Sequence, residues 1–286
     1  MHPKAQHYVP QVYLRNFASK RKQEYFTCCF DKTTRKTFKP NIKNIANQTG
    51  FYDFVTNSGE KASIESFFND VETKAGLAFL ALNENPTIST LLENKDTLAN
   101  FFALQESRTV VFRDVQNDII RGANERLEAD GFSFPIPTEN ETKEFQARFL
   151  IDMSDFFANA LLKMKWILVF NKTPKPFWTS DNPIVRYNPH KSELVGNLGL
   201  ESPGIQLHIP ITPALAVIIC DPFENAQINS ELPAFSPSVD FNNSGQVIYS
   251  RQFLFSIDDN FDLVKDMIAE NSELSNLNRP RITLVK

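Results

Sequence analysis

Residues 98–112 read Leu98-Ala-Asn-Phe101-Phe102-Ala-Leu-Gln105-Glu106-Ser107-Arg108-Thr109-Val110-Val-Phe112. On a helical wheel Leu98, Phe101, Phe102, Thr109 and Phe112 form one apolar stripe, the spacing of a core-facing helix. Gln105 falls inside that stripe and Arg108 at its edge, where such a helix normally carries Leu or Phe. An unpaired polar group in that setting costs roughly 2–7 kcal/mol. Other parts of the chain must therefore bring partners to these two side chains. The pattern predicts a helix from about Asp96 to Glu128, bent near Gly122. Arg113, Arg121 and Arg126 fall on its other faces and read as water-facing.

Working outward, a second helix is predicted from Ile64, with Ser63 as its cap, to about Leu82. Its stripe is Ile64, Phe67, Phe68, Val71, Ala75, Ala78 and Leu82. Glu65 and Glu72, seven apart, share one side of it. Asn85-Pro86 ends this helix, and Ser89–Asn94 reads as a connecting turn. A third long helix runs to about Lys165, capped by Thr138 or Asn140 and carrying Phe149, Met153, Phe156, Phe157, Ala160 and Leu161 on its apolar face. Strands follow at Trp166–Phe170, from Phe177, at Ile205–Ile211 and at Ala214–Cys220, the last apolar enough to be central. Helix is expected again at Gly245–Phe255 and Asp262–Glu270, and a last strand at Ile282–Val285. Near the start, residues 24–38 read as a β-hairpin with Lys32, Arg35, Lys36 and Lys39 exposed about its tip. The fold class expected is α+β: a bundle of long helices packed on a small mixed or antiparallel sheet. We read residues 1–286 as a single domain, helical over about 56–165 and strand-rich over about 166–220 plus the hairpin.

The composition sets outer limits. The chain has 42% hydrophobic residues, 26 Phe and only 9 Gly, which points to an aromatic core and away from a Gly-rich nucleotide loop. A net charge of −4 argues against a constitutive, salt-driven grip on duplex DNA. Cys28 and Cys29 are adjacent in a strand-like segment, so they point to opposite faces. Together with Cys220 they read as small buried hydrophobes of a reducing compartment. No apolar run approaches a membrane span, and the expected location is the cytoplasm.

Polar motifs punctuate this frame. The N-terminal segment runs His7-Tyr8-Val9-Pro10-Gln11-Val12-Tyr13-Leu14-Arg15-Asn16-Phe17, with His7 and Tyr8 in an extended lead-in and a short helix from Pro10. Later comes Ser180-Asp181-Asn182-Pro183, where a strand ends. Three small hydrogen-bonding side chains there can satisfy their own turn. They can equally present reactive groups on a rigid scaffold.

These motifs resemble the bacterial domain-of-unknown-function family 4238. The likeness rests on His7 to Phe17, Ile64-Glu65 with Glu72, Gln105-x-x-Arg108-Thr109, Thr179 to Pro183, and Pro210-Ile211-Thr212-Pro213, in that order. In the family the Gln-x-x-Arg-Thr motif is usually followed by Pro. Val110 stands here instead, so the helix is expected to run straight where a relative bends. The resemblance implies that these motifs belong together and names no activity.

Arg108 can fork onto a carboxylate, so Asp181, Glu72 or Glu65 is expected beside it. Gln105 can hold a substrate or orient His7. His7 is the group whose ordinary pKa, about 6.5, suits acid/base work near neutrality. The candidate catalytic set is thus His7, Gln105, Arg108, Asp181 and Glu72, with Tyr8, Ser180, Asn182 and Glu65 as substrate-binding residues. That set suits hydrolysis at a phosphoryl or glycosidic centre, with Arg108 binding the anion and His7 moving the proton. No metal site is assigned: three carboxylates suffice for weak Mg²⁺ binding, but no spacing demands it. Walker, dinucleotide, His-Glu-x-x-His and nucleophile-elbow motifs are all missing.

Two readings use the same residues. One is a cytosolic hydrolase of a nucleotide, RNA or DNA, in the setting of a toxin or phage-defence effector. The other is a non-catalytic sensor or binding module for an anionic ligand or a partner protein, the polar cluster pinning the N-terminal segment to the core. Neither involves a membrane, and the sequence assigns no oligomeric state.

Overall fold

The computed structural model describes residues 5–128, 131–190 and 197–282. The last predicted strand, Ile282–Val285, falls almost wholly outside them.

Short strands and one helical turn open the chain: β1 (Ala5–His7), α1 (Gln11–Leu14), β2 (Ser19–Arg21), β3 (Glu24–Phe26), β4 (Cys28–Asp31), β5 (Lys36–Phe38), β6 (Asn47–Thr49), β7 (Asp53–Val55) and β8 (Lys61–Ser63). The helices follow as α2 (Asn69–Glu84), α3 (Ile88–Glu93), α4 (Lys95–Ser107), α5 (Val110–Leu127) and α6 (Glu139–Lys163). The strand-rich part holds β9 (Lys165–Asn171), β10 (Thr179–Ser180), β11 (Val185–Tyr187), β12 (Gln206–Thr212), β13 (Leu215–Cys220) and β14 (Glu231–Ala234). It is closed by α7 (Ser236–Tyr249), β15 (Phe253–Ser256) and α8 (Asp262–Glu270). The fold is α+β.

The main sheet runs β11-β12-β13-β9-β14, antiparallel except for β14 beside β9. Its centre is β13, whose sequence Leu-Ala-Val-Ile-Ile-Cys is almost wholly apolar because both of its faces are covered. One face shares a core with α2, α4 and α6, joined by Phe79, Phe101, Phe102, Leu161, Trp166, Leu207 and Val217. The other packs Ile167, Val169 and Ala216 against Phe177 and Val239 of α7. A second sheet, β10-β15-β4-β5, is antiparallel throughout. The period-two alternation of β4 serves two cores at once. Cys29 joins the main core, whereas Cys28 and Phe30 join a smaller one with Trp178, Phe261 and Val264. All three cysteines are free and buried.

Several local expectations are corrected. The long helix predicted over 96–128 is two helices, broken at Arg108-Thr109 rather than bent at Gly122. Thr109 adopts an extended conformation and caps α5, its Oγ1 accepting from the Phe112 amide. The break thus forms without the proline. Ser63 ends β8, and a 3-10 turn at Glu65–Phe68 leads into α2. Residues 89–94 lie mostly in α3. Thr138 closes a capping box with Glu141, as its position before α6 predicts. The hairpin strand splits at Thr27, so β3 pairs back with β2 while β4 pairs with β5. Lys32 is not at an exposed tip but fully buried, its ammonium donating to the carbonyls of Val247 (2.8 Å) and Ser250 (2.9 Å) at the C-terminal end of α7. Arg113 is half-buried over the Phe51 ring and bonded to Gln146, not turned to water. Residues 245–255, expected as helix, cross from α7 into β15 because Asp181 holds the connection between them.

Candidate functional site

The Gln105–Thr109 break is where the polar motifs meet. Gln105 and Arg108 are 1% and 3% exposed, so each needs the partners the sequence demanded. Arg108 has three. Its Nε donates to the Tyr52 hydroxyl (3.0 Å), Nη1 to Glu72 Oε1 (2.8 Å) and Nη2 to the main-chain carbonyl of His7 (2.8 Å). Its guanidinium lies 4.0 Å from the centroid of the Phe68 ring. Burial works against the charge, but Tyr52 and Glu72 outweigh it and hold the guanidinium above its ordinary pKa. Gln105 Nε2 donates to the Tyr8 carbonyl (3.0 Å), while its Oε1 is buried without a hydrogen bond. Glu106 pairs with Arg186 of β11. Gln146 of α6 donates to the carbonyls of Ser107 (2.8 Å) and Thr109 (3.1 Å), covering the groups that the break leaves open.

The expected carboxylate for Arg108 is therefore Glu72, and Asp181 lies elsewhere. Asp181 Oδ1 accepts from the Arg251 amide (2.7 Å), and Oδ2 from those of Gln252 (2.7 Å) and Phe253 (2.9 Å). Three main-chain donors on one buried carboxylate make it a clasp on the turn between α7 and β15. Ser180 Oγ donates to Gln246 Oε1 (2.7 Å), and the same Gln246 donates through Nε2 to the Pro183 carbonyl (2.8 Å). Asn182 donates to Tyr249 O (3.2 Å) and accepts from Thr109 (2.9 Å).

His7 is half-buried on β1, with Nε2 3.3 Å from the Ile42 carbonyl and 3.4 Å from Asn47 Nδ2. Burial lowers its pKa against the opposing Ile42 carbonyl and Glu72. Its carbonyl, rather than its imidazole, faces Arg108. Tyr8 packs its ring 5.4 Å from Phe51, and burial, with the Asp181 charge, raises its hydroxyl pKa. Glu65 Oε2 accepts from Gln6 Nε2 at 3.3 Å.

Besides Thr109, Gln146 and Gln246, three further contributors lie outside the nominated set. Gln6 is buried, donates to Asp53 Oδ1 (2.8 Å) and accepts from the Tyr52 amide (2.6 Å). Tyr52 supplies the hydroxyl that meets Arg108. Tyr13 gives its one proton to the Pro210 carbonyl (2.6 Å), so the Thr179 hydroxyl donates to Tyr13 at 2.9 Å. A single phenol thus joins the N-terminal motif, the strand end and the Pro-x-x-Pro turn. A tyrosine placed one helical turn after Pro10, inside an otherwise apolar face, was the available signal.

A groove of about 760 Å³ opens beside this network, between α1 and α2. Val12, Leu77, Phe79 and Leu80 contribute apolar surface, and Gln11, Arg15, Asn16, Asn69, Thr73 and Asn83 contribute polar groups. Among the nominated residues Glu72 lines it; His7, Gln105, Arg108 and Asp181 do not. The two helices touch at its floor, where a Cβ on Gly76 would come 2.8 Å from Val12 Cγ2. The Nδ2 of Asn16 is buried at the wall with no acceptor. Among the described residues no three His, Cys, Asp or Glu side chains converge to hold a metal ion. No helix among them is long and apolar enough to cross a membrane.

The model of the protein family of unknown function DUF4238 matches residues 5–260, which include every motif described above. The chain belongs to that family. The matched residues hold one connected set of contacts running from Gln6 to Phe253. No curated protein and no solved structure matches the chain.

Proposed function

We propose that the protein is a non-catalytic binding module that holds an acidic, extended peptide segment of a partner protein in the groove between α1 and α2. The observation that carries this reading is the state of Arg108, which is 3% exposed and whose three guanidinium nitrogens each already donate to a group of the fold. Asp181 is likewise filled by main-chain amides, so neither is free to take a substrate. What is free lies in the groove. Its side-chain amides at Gln11 and Asn69 offer donors and acceptors matched to a peptide main chain, the Asn83 amide already donating to Asn16 Oδ1 at 3.2 Å, and Arg15 supplies a cation for a carboxylate. Its volume falls within the ~300–1,000 Å³ of ligand sites. Glu72 makes the link to the motifs: one oxygen holds Arg108, and the residue itself lines the groove.

Thermal shift against a panel of capped acidic peptides tests the reading, with nucleoside triphosphates, NAD and RNA in parallel and mass spectrometry of each mixture. A peptide at about 100 times its Kd should stabilise the fold by ~2.7 kcal/mol. Arg15→Glu and Thr73→Trp should abolish that gain and leave the ligand-free melt within a few degrees. Turnover of any nucleotide or RNA would replace this reading with the hydrolase, in the setting of a toxin or defence effector.

A further inference from the structure

One end of the α1–α2 groove is continuous with a basic hairpin. Residues 15–25 hold four cations, Arg15, Lys20, Arg21 and Lys22, against one acid, Glu24, in a chain whose net charge is −4. Glu24 is taken by Lys43 at 2.6 Å, and none of the four cations joins an ion pair among the described residues. The Tyr25 ring on β3 gathers two of them, with the Arg15 guanidinium 5.4 Å and the Lys20 ammonium 5.9 Å from its centroid. Arg15 also lines the groove, so one side chain belongs to both places. Lys20 stands opposite Tyr25 in the β2–β3 pairing and shares its face. Arg21 points to the other face, 5.6 Å from the Phe26 ring. Lys22 stands at the turn with a φ of 56°, in the left-handed region where a hairpin normally places glycine or asparagine. All of β2 is exposed. The far end of the groove has the opposite sign. From Glu72 to Asn83 it follows α2 for roughly 16 Å. Asn83 is bonded to Asn16, next to Arg15, whereas the Glu72 side chain is 29% exposed at the other end.

We propose that, with a partner's segment in the groove between α1 and α2, the Tyr25 face of the β2–β3 hairpin reads a run of acidic residues that continues from it. The role rests on the peptide reading of the groove and gives the segment a direction. Its acidic end lies on Arg15, Lys20 and Lys22, and its other end, free of acid, lies beside Glu72. An extended chain advances ~3.3 Å per residue, so about five residues fill the groove and about three more cross β2 to Lys22. Charge selects this occupant. Arg15 and Lys20 are like charges drawn to one ring without a counter-ion. A carboxylate between them relieves their repulsion and meets donors already held in position. The same arrangement disfavours a nucleic acid, because the Tyr25 and Phe26 rings already carry cations and are not open to base stacking. A net-negative chain also repels a long polyanion beyond this patch, whereas a short acidic run ends where the cations end.

Arrays of capped peptides probed with the full-length chain test this, followed by fluorescence anisotropy on the tightest member. The groove positions are randomised and carry a run of Asp after them, a run of Asp before them, or a run of Asn. The tightest Asp peptide should bind roughly 10-fold or more above its Asn counterpart and lose that margin in about 0.5 M salt. Lys20→Glu with Lys22→Glu should bring the Asp peptide down to the affinity of its Asn counterpart. Arg21→Glu, on the other face, should change the affinity by less than about 3-fold. These side chains are exposed, so the melting temperature of each variant should stay within a few degrees of wild type. Equal affinity for Asp and Asn peptides overturns the proposal, as does an Arg21→Glu loss as large as that of the double Lys variant. In either case the groove reading stands where Thr73→Trp still blocks binding. A single-stranded RNA that binds the hairpin more tightly than any Asp peptide also overturns the proposal, in favour of a nucleic acid. Binding by no member of the arrays overturns the groove reading itself, and the hairpin's role with it.

Discussion

Thr109 donates its hydroxyl proton to Asn182 Oδ1 at 2.9 Å and accepts from the amide of Phe112 with the same oxygen. One side chain therefore starts α5 and ties the helix break to the strand-end turn. Thr109→Val removes both bonds and should cost about 1–2 kcal/mol, with Thr109→Ser near wild type, as measured by urea unfolding.

The same break makes a proline substitution at the next position harmless. Val110 is the first residue of α5, and Thr109 before it already has the extended φ and ψ of −83° and 165° that a following proline imposes. Val110→Pro should leave stability unchanged or raise it by about 0.4–1 kcal/mol. A loss of several kcal/mol would mean that α4 and α5 are one continuous helix in solution.

Arg108 and Glu72 should behave as a coupled pair. Arg108→Ala leaves the Glu72 carboxylate and the His7 carbonyl without their donor and should destabilise the fold by about 3–5 kcal/mol. Arg108→Lys should recover little, because an ammonium cannot reach Tyr52, Glu72 and His7 in three directions. A double-mutant cycle with Glu72→Gln should show a coupling above about 1 kcal/mol. Independent, additive losses would contradict the geometry.

Asp181→Asn replaces one acceptor oxygen with an amide that faces main-chain donors. Unfolding should become easier by about 2–4 kcal/mol, with faster hydrogen exchange at the amides of Gln252 and Phe253. Unchanged protection there would show that the clasp is not closed.

Two buried bases each contribute a rise of stability with pH, over separate windows. His208 is buried beside Asn242 and Gln206, and burial lowers its pKa to about 4. The unfolded chain, with an ordinary value near 6.5, then binds the extra proton, so stability falls as pH drops from about 6.5 to 4. By linkage that loss reaches about 3 kcal/mol. His7 is shifted in the same direction. Burial also lowers Lys32, to about 7, against the opposing Asp181 charge. Its penalty is full below that pH and fades as pH climbs toward 10.5. Melting curves of His208→Asn and Lys32→Met against pH should each lose the slope of their own window.

The sequence told where polar groups were buried better than what they would meet. Gln105 and Arg108 stood out because a 3.6-residue stripe leaves no place for them, and both are buried. Thr138 and β13 were equally legible, one from cap chemistry and the other from a continuous apolar run. The partners were hidden because most are main-chain atoms. The carbonyls of His7 and Tyr8 answer Arg108 and Gln105, the amides of residues 251–253 answer Asp181, and the carbonyls of Val247 and Ser250 answer Lys32. A backbone group is present at every position and leaves no mark in the pattern of side chains. The break at Thr109 was missed for a related reason. A threonine within a helical period reads as a neutral residue until Gln146 and Asn182 are seen to stabilise the opening it makes.

The contact between Arg108 and the His7 carbonyl spans 101 positions, and that between Gln105 and the Tyr8 carbonyl spans 97. Synthesis produces the first strand long before the helix that fixes it. A nascent chain can therefore hold residues 5–9 only through residues 42–53, by the β1–β6 pairing and the Gln6 contacts with Tyr52 and Asp53, until α4 has emerged with Gln105 and Arg108. Assembly of this protein runs against the direction of translation at its first strand, which closes onto a core built after it.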